Sequence, residues 1–128
     1  MAAKRVVIIG GGRSGMAIRR SLERRGCSVG LLSRSTGFDV LRDDARTAIG
    51  EADVVIEATG LFTTSRAKAT AFFTASTTAV AAAANRVGAH HVLLSIVNCM
   101  LPQVQGYGYF AGKTAQENAA REQSRNLT

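Results

Sequence analysis

Tryptophan is absent, proline occurs once, at Pro102, and aromatic side chains make up only 5% of the 128 residues. So few aromatics leave no stacking platform for single-stranded nucleic acid, and no helix-turn-helix or zinc-finger spacing accompanies the basic residues. Nucleic acid is therefore disfavoured as a partner. No apolar run approaches the ~20 residues that a membrane span needs. Thr, Ser, Arg or Gly interrupts each one, and residues 1–10 carry no signal-peptide cleavage pattern. The expectation is a soluble, cytoplasmic protein with no membrane partner. Cysteine is nearly missing as well: Cys27 and Cys99 make neither a disulfide framework nor a metal-ligand spacing, which fits reduced thiols. His90 and His91 lack two further ligands, so no metal site is expected. Repeats, proline-rich linkers and long low-complexity blocks are lacking too.

What remains is a chain of 46% hydrophobic and 20% charged residues, enough to fill one core and too apolar to stay disordered. One domain over residues 1–128 is the natural expectation. The net charge of +7 is unevenly placed. Residues 1–50 hold ten Lys and Arg against four acids, and residues 51–128 hold six against five. A basic first half without nucleic-acid signatures points to an anionic small molecule.

Strand and helix patterns alternate along the chain. Val6 to Ile9 is a β-branched run stopped by Gly10, Gly11 and Gly12, as a strand buried on both faces should be. Gly15, Ile18 and Leu22 recur at helical spacing, predicting a helix over Ser14 to Arg25 with Gly26 just past its end. A second strand is expected at Ser28 to Ser33 and a very short third at Phe38 to Val40. A helix follows near Asp43 to Ile49, then a fourth strand at Asp53 to Ala58. A long helix over Ser65 to Val87 ends at Gly88, a fifth strand spans Val92 to Val97, and a last helix runs from about Tyr109 to Gln123. This alternation predicts an α/β fold, a Rossmann-type parallel sheet of five strands in the order 3-2-1-4-5 with helices on both faces.

Gly10-Gly11-Gly12-Arg13-Ser14-Gly15 satisfies G-x-G-x-x-G where a strand ends and a helix opens. Gly10 can turn sharply, Gly12 offers no Cβ to hold a pyrophosphate away, and Gly15 lets helix and strand approach. Backbone N–H groups of Arg13, Ser14 and Gly15 at the helix start would face the anion. The alternative is a glycine-rich turn with no ligand. About 20 residues on, where an NAD-binding site places a carboxylate for the ribose 2′-hydroxyl, this chain has Ser33-Arg34-Ser35. A carboxylate would repel a 2′-phosphate, whereas a guanidinium binds it with paired hydrogen bonds. NADP(H) is expected in preference to NAD(H), unless Arg34 and Arg13 are simply solvated surface charges.

Tyr109 and Lys113 form Y-x-x-x-K, one turn apart on a helix face. A nearby ammonium favours phenolate, which makes the tyrosine a candidate acid/base for a carbonyl or alcohol. A structural tyrosine beside a surface lysine is the competing reading. Ser95 is placed late in the fifth strand, where parallel sheets present side chains to a ligand crevice, or it is satisfied by backbone. Cys99 has no sequence context of a thiol nucleophile.

These segments resemble the short-chain dehydrogenase/reductase superfamily, specifically its atypical, NmrA-like, NAD(P)H-binding branch, over nearly the whole chain. VVIIGGGRSG looks like the first strand and glycine loop, LLSRSTGFDV like the second strand and adenosine-phosphate loop, and ADVVIEATG like strand four. FFTASTTAVAAAANRVGAHHVLLSIV is similar to the long helix and strand five, and GYGYFAGKTAQENA to the helix with the active-site pair. The resemblance implies a glycine loop on the pyrophosphate, Asp39 near adenine, and Thr59 and Gly60 along the nicotinamide side. By the same resemblance Tyr109 is the general acid/base, Lys113 holds the ribose and lowers the tyrosine pKa, and Ser95 assists. Ile9 stands where many relatives have glycine, and Ala111-Gly112 where Arg-Ala often precedes the lysine. REQSRNLT stops where the family begins its next strand, so the chain looks like the N-terminal part of a larger member or a shortened relative.

Two functions follow as expectations: an NADP(H)-dependent oxidoreductase moving hydride between nicotinamide and a small carbonyl or related substrate, or a non-catalytic NmrA-like module that senses redox state through a protein partner. An uncovered sheet edge after the fifth strand would offer a route to an oligomer.

Overall fold

β1 (Arg5–Ile9) lies at the centre of a parallel sheet in the computed structural model, which describes residues 3–128. α1 (Arg13–Arg24), β2 (Ser28–Leu32), α2 (Ala45–Ile49), β3 (Val54–Glu57), α3 (Arg66–Val87), β4 (His90–Leu93) and α4 (Gly108–Gln123) follow. The four strands stand in the order β2-β1-β3-β4, all pairs parallel. This is the expected α/β Rossmann-type arrangement less one strand, β3 and β4 being the fourth and fifth of the sequence reading.

The registers Val7↔Val55 and Val55↔His91 set which side chains share a face. Val7, Ile9 and Val55 point to one side and pack with Ile49 of α2 and Val80, Ala83 and Ala84 of α3. Val6, Ile8 and Ile56 point to the other and meet Ile18 and Leu22 of α1. Apolar residues on both faces are what a parallel strand covered by helices requires, and each such side chain contributes about 1.5–3 kcal/mol of burial. α3 ends as predicted at Gly88, whose φ of 68° lets its N–H reach the carbonyls of Ala84 and Asn85. α4 lies against α3 through small residues. A Cβ on Gly112 would come within 2.6 Å of the Phe73 ring, and one on Gly108 within 2.8 Å of the Thr64 and Ser65 backbone. Gly112 and Gly108 thus permit this close approach.

Three expectations are corrected. Phe38 to Val40 is not a strand: Phe38 N–H closes a turn onto Ser33 O at 2.8 Å, and Asp39 Oδ1 accepts from Leu41 N. Asp39 N–H is taken by Asp43 Oδ2 and Asp39 O by the Arg42 and Asp43 N–H groups, so the segment folds into a turn in place of running beside β2. The last strand ends at Leu93, because its partner β3 ends at Glu57 and only one further bond, Leu94 N to Glu57 O, joins them. Ser95 therefore lies beyond the strand. The edge of β4 is not bare either: residues 126–128 run parallel to it, with His91 N–H donating to Asn126 O, Thr128 N–H to His91 O and Leu93 N–H to Thr128 O. Among the described residues no helix is long and apolar enough to cross a membrane.

Candidate functional site

At the carboxyl ends of the strands the chain opens a cleft of about 1550 Å³. Gly10, Gly12, Arg13, Ser14, Ser33, Arg34, Asp39, Thr59, Gly60, Ser95, Tyr109 and Lys113 all line it, although they come from widely separated stretches of chain. Gly15 is the one proposed site residue set back from the cleft wall. Four cationic side chains, Arg13, Arg34, Lys68 and Lys113, face this space with a single carboxylate, Asp39. Such a lining favours an elongated anion.

One end of the cleft is the β1–α1 turn. Gly10 has φ +120°, and a Cβ there would lie 2.3 Å from Ala58 O, so only glycine fits. Gly11 is held against Ser33, its absent Cβ 2.7 Å from that side chain. Gly12 differs, because a Cβ there meets nothing within 4 Å. The protein's own packing does not require a glycine at this position. Gly12 is also the N-cap of α1, no side chain caps the helix, and its first turn carries no acid. The helix start therefore presents uncapped N–H groups and a positive dipole end to open space, as an anion site would.

Ser33, Arg34 and Ser35 form the next wall. Arg34 begins a 3₁₀ turn, Arg34–Thr36, and is exposed. Ser33 is buried, and its hydroxyl lies 2.8 Å from that of Ser35, so the two bond to each other and Arg34 is the free polar group of the trio. Asp39 Oδ2 lies 3.9 Å from Arg42 Nε. Thr59 Oγ1 pairs with Ser76 Oγ of α3 at 3.2 Å.

The opposite end is built by α4. Tyr109 stacks on Phe62, with ring centroids 5.3 Å apart, and meets Phe73 edge-on at 5.8 Å. Burial alone acts on its phenol and pushes the pKa above the ordinary 10.0. Lys113 is 97% buried: its relative exposure is 3%. Its Nζ donates to Leu94 O at 2.7 Å and Gln116 Oε1 at 2.6 Å and lies 4.9 Å over the Phe73 ring. Desolvation moves its pKa down from 10.5, opposed first by the nearby Glu57 carboxylate. The spacing Y-x-x-x-K thus brings both residues to Phe73, but the ammonium is held by groups other than the phenol and the tyrosine pKa is raised, not lowered. A neutral phenol is a proton donor, which suits carbonyl reduction.

Ser95 Oγ donates to Glu117 Oε1 at 2.7 Å, and the buried Cys99 thiol approaches the same oxygen at 3.4 Å. Sequence reasoning missed Glu117, Gln116, Glu57 and Phe62. Glu117 and Gln116 stand four and three residues after Lys113, a spacing that marks neighbours on a helix. Glu57 is the lone carboxylate of an apolar strand, VVIE.

No protein-family profile matches the chain, and no curated protein sequence does. Solved structures do. A dTDP-4-dehydrorhamnose reductase from Bacillus anthracis in complex with NADP superposes over 99% of this chain and 52% of its own, with TM-score 0.78 and 17% identity. A dTDP-4-dehydrorhamnose reductase from Clostridium acetobutylicum gives TM-score 0.72 and 18% identity over 96% and 51% of the two chains. An NAD-dependent NDP-hexosamine 5,6-dehydratase involved in tunicamycin biosynthesis gives TM-score 0.71 and 20% identity over 95% and 50%. The chain spans about half the length of these three structures. Identities of this size establish a shared fold.

Proposed function

We propose that the cleft binds NADP(H), in preference to NAD(H), and that the chain is an oxidoreductase of the short-chain dehydrogenase/reductase type acting on a small carbonyl or related substrate. The observation that carries this reading is Gly12, a glycine with open space where its Cβ would stand, at an uncapped helix start in a cleft lined with cations. Gly12 and the N–H groups of Arg13, Ser14 and Gly15 would receive the pyrophosphate. Arg34 would receive the 2′-phosphate and Asp39 would lie by the adenine. Thr59 and Gly60 would border the nicotinamide, whose role when bound is to give or accept hydride. Two of the matching folds belong to a reductase in complex with NADP and an NAD-dependent dehydratase, which supports a nicotinamide dinucleotide.

On the substrate side, Tyr109 holds a proton at its phenol oxygen and would give it to a carbonyl oxygen as hydride arrives. Lys113 would hold the ribose and keep positive charge at the cleft floor. Ser95, positioned by Glu117, would hydrogen-bond the substrate oxygen. With purified protein, NADPH and a panel of aldehydes and quinones, the reading predicts turnover that Tyr109→Phe removes. Turnover unchanged in that variant would exclude Tyr109 from proton transfer.

A second reading is favoured by one feature: Lys113 and Ser95 already have internal partners, Leu94 O, Gln116 and Glu117. A non-catalytic NmrA-like NADP(H)-binding module that signals redox state to a protein partner needs no free catalytic groups. NADPH binding without turnover of any carbonyl distinguishes it.

A further inference from the structure

Glu57 is a carboxylate with 0% exposure at the carboxyl end of β3, where the parallel registers point it toward α3 and α4. A buried carboxylate persists only if other groups compensate it. Thr77 Oγ1 lies 2.7 and 2.9 Å from its two oxygens, and Gln116 Nε2 donates to Oε2 at 3.4 Å. On its other side is His91 of β4, also 0% exposed, with Nε2 3.8 Å from Oε2. That nitrogen is the one buried side-chain nitrogen or oxygen among the described residues with no hydrogen-bond partner. Its ring mate Nδ1 is taken by Ser124 Oγ at 2.6 Å. If Nε2 were a bare lone pair it would face a carboxylate, so a proton there is the arrangement with attraction.

Gln116 connects this pair to the cleft. Its amide is fixed at both ends, the carbonyl accepting from Lys113 Nζ and the NH₂ pointing at Glu57. Hydrogen bonds therefore run from Leu94 O through Lys113 and Gln116 to Glu57, and a 3.8 Å contact leads on to His91 and its partner Ser124. The charged or titratable groups around Lys113 are Glu57 from β3, Cys99 from the loop after β4, and Glu117 from its own helix. Those facing Glu57 are His91 and, through the amide, Lys113.

We infer that Glu57 is a positioning residue: with His91 as its buried partner, it acts through Gln116 to hold Lys113 as an ammonium at the cleft floor. The consequence for hydride chemistry rests on the function proposed above, but the charge coupling does not need it. Replacing the carboxylate by an amide would leave Lys113 buried without its strongest counter-charge.

The test reads the lysine directly. The chain has three lysines, Lys4, Lys68 and Lys113, so ¹³C-lysine labelling gives three side-chain signals, and Lys113→Met identifies the one of interest. In Glu57→Gln the Lys113 signal should titrate about one pH unit or more below wild type, as removal of a nearby opposite charge predicts. Gln116→Leu should shift it in the same direction by less. An unchanged midpoint in a folded Glu57→Gln protein would overturn the inference and leave Glu57 a merely structural group. Should that variant fail to fold, the wild-type protein decides. Long-range ¹H–¹⁵N spectra should show His91 protonated at Nε2, and Lys113 as ammonium at pH 7. A bare Nε2 or a neutral amine contradicts the inference. No nucleotide enters these measurements, so failure to bind NADPH would defeat the proposed function without touching this result.

Discussion

Gly15 of α1 lies so close to Gly10 that a Cβ at position 15 would stand 2.0 Å from the Gly10 carbonyl oxygen. The contact is backbone against backbone, so no side chain can swing away to relieve it. Gly12, three residues earlier, has open space and an ordinary φ of −73°. The same motif thus contains a glycine the fold needs and one it does not.

Gly15→Ala should accordingly lower the thermal midpoint by several degrees, since overpacking costs about 1–3 kcal/mol. Gly12→Ala should stay within about 0.5 kcal/mol of wild type, as unstrained exposed positions do. If the space at Gly12 receives a pyrophosphate, that same variant loses NADPH affinity by about tenfold or more. Thermal unfolding with and without NADPH checks both.

Arg34 is exposed on a 3₁₀ turn, and its two flanking serines bond to each other. Arg34→Glu should weaken NADPH by about tenfold to a hundredfold, the range of a lost charge-assisted bond. NADH should change by no more than about threefold. Equal small losses for both nucleotides would remove Arg34 from the site.

The raised pKa of Tyr109 has a signed consequence. Its neutral form is favoured by folding, so its contribution to stability is present below pH 10.0 and is lost as pH rises through the higher folded value. In an ultraviolet titration the wild-type protein should show a phenol ionising above 10.0 that Tyr109→Phe removes. Between pH 10.0 and that point, wild type should lose stability more steeply than the variant. Ionisation of Tyr109 below 10.0 would restore the sequence expectation of a phenolate stabilised by Lys113.

Residues 126–128 pair with β4, and His90 Nε2 lies 2.6 Å from Thr128 Oγ1. Deleting them exposes the strand edge. Sedimentation should then show more concentration-dependent association than in the full chain, as a bared edge predicts. Equal behaviour of the two proteins would show that this pairing does not guard the edge.

Local pattern explains how much was legible. The β-branched run Val6 to Ile9, the glycines after it, and the stripe through Ile18 and Leu22 each report on neighbours a few residues away, and each was placed within a residue or two. The cleft residues were legible for the same reason, since strand ends in a parallel sheet converge on one crevice. Phe38 to Val40 misled because an apolar-polar-apolar triplet reads as a strand, whereas Asp39 captures the neighbouring backbone in a turn. The Glu57, His91 and Gln116 line was invisible because it joins residues 34 and 59 positions apart from Glu57. Only the β3–β4 register and the docking of α4 bring them together.

The central claim is that the β1–α1 turn and Arg34 together hold a phosphorylated nicotinamide dinucleotide. Fluorescence titration of the 128-residue chain with NADPH and with NADH tests it most directly. The account predicts saturable binding of both, tighter for NADPH, with the NADPH advantage abolished by Arg34→Glu. No saturable signal with either nucleotide, confirmed by the absence of heat in calorimetry, would contradict it.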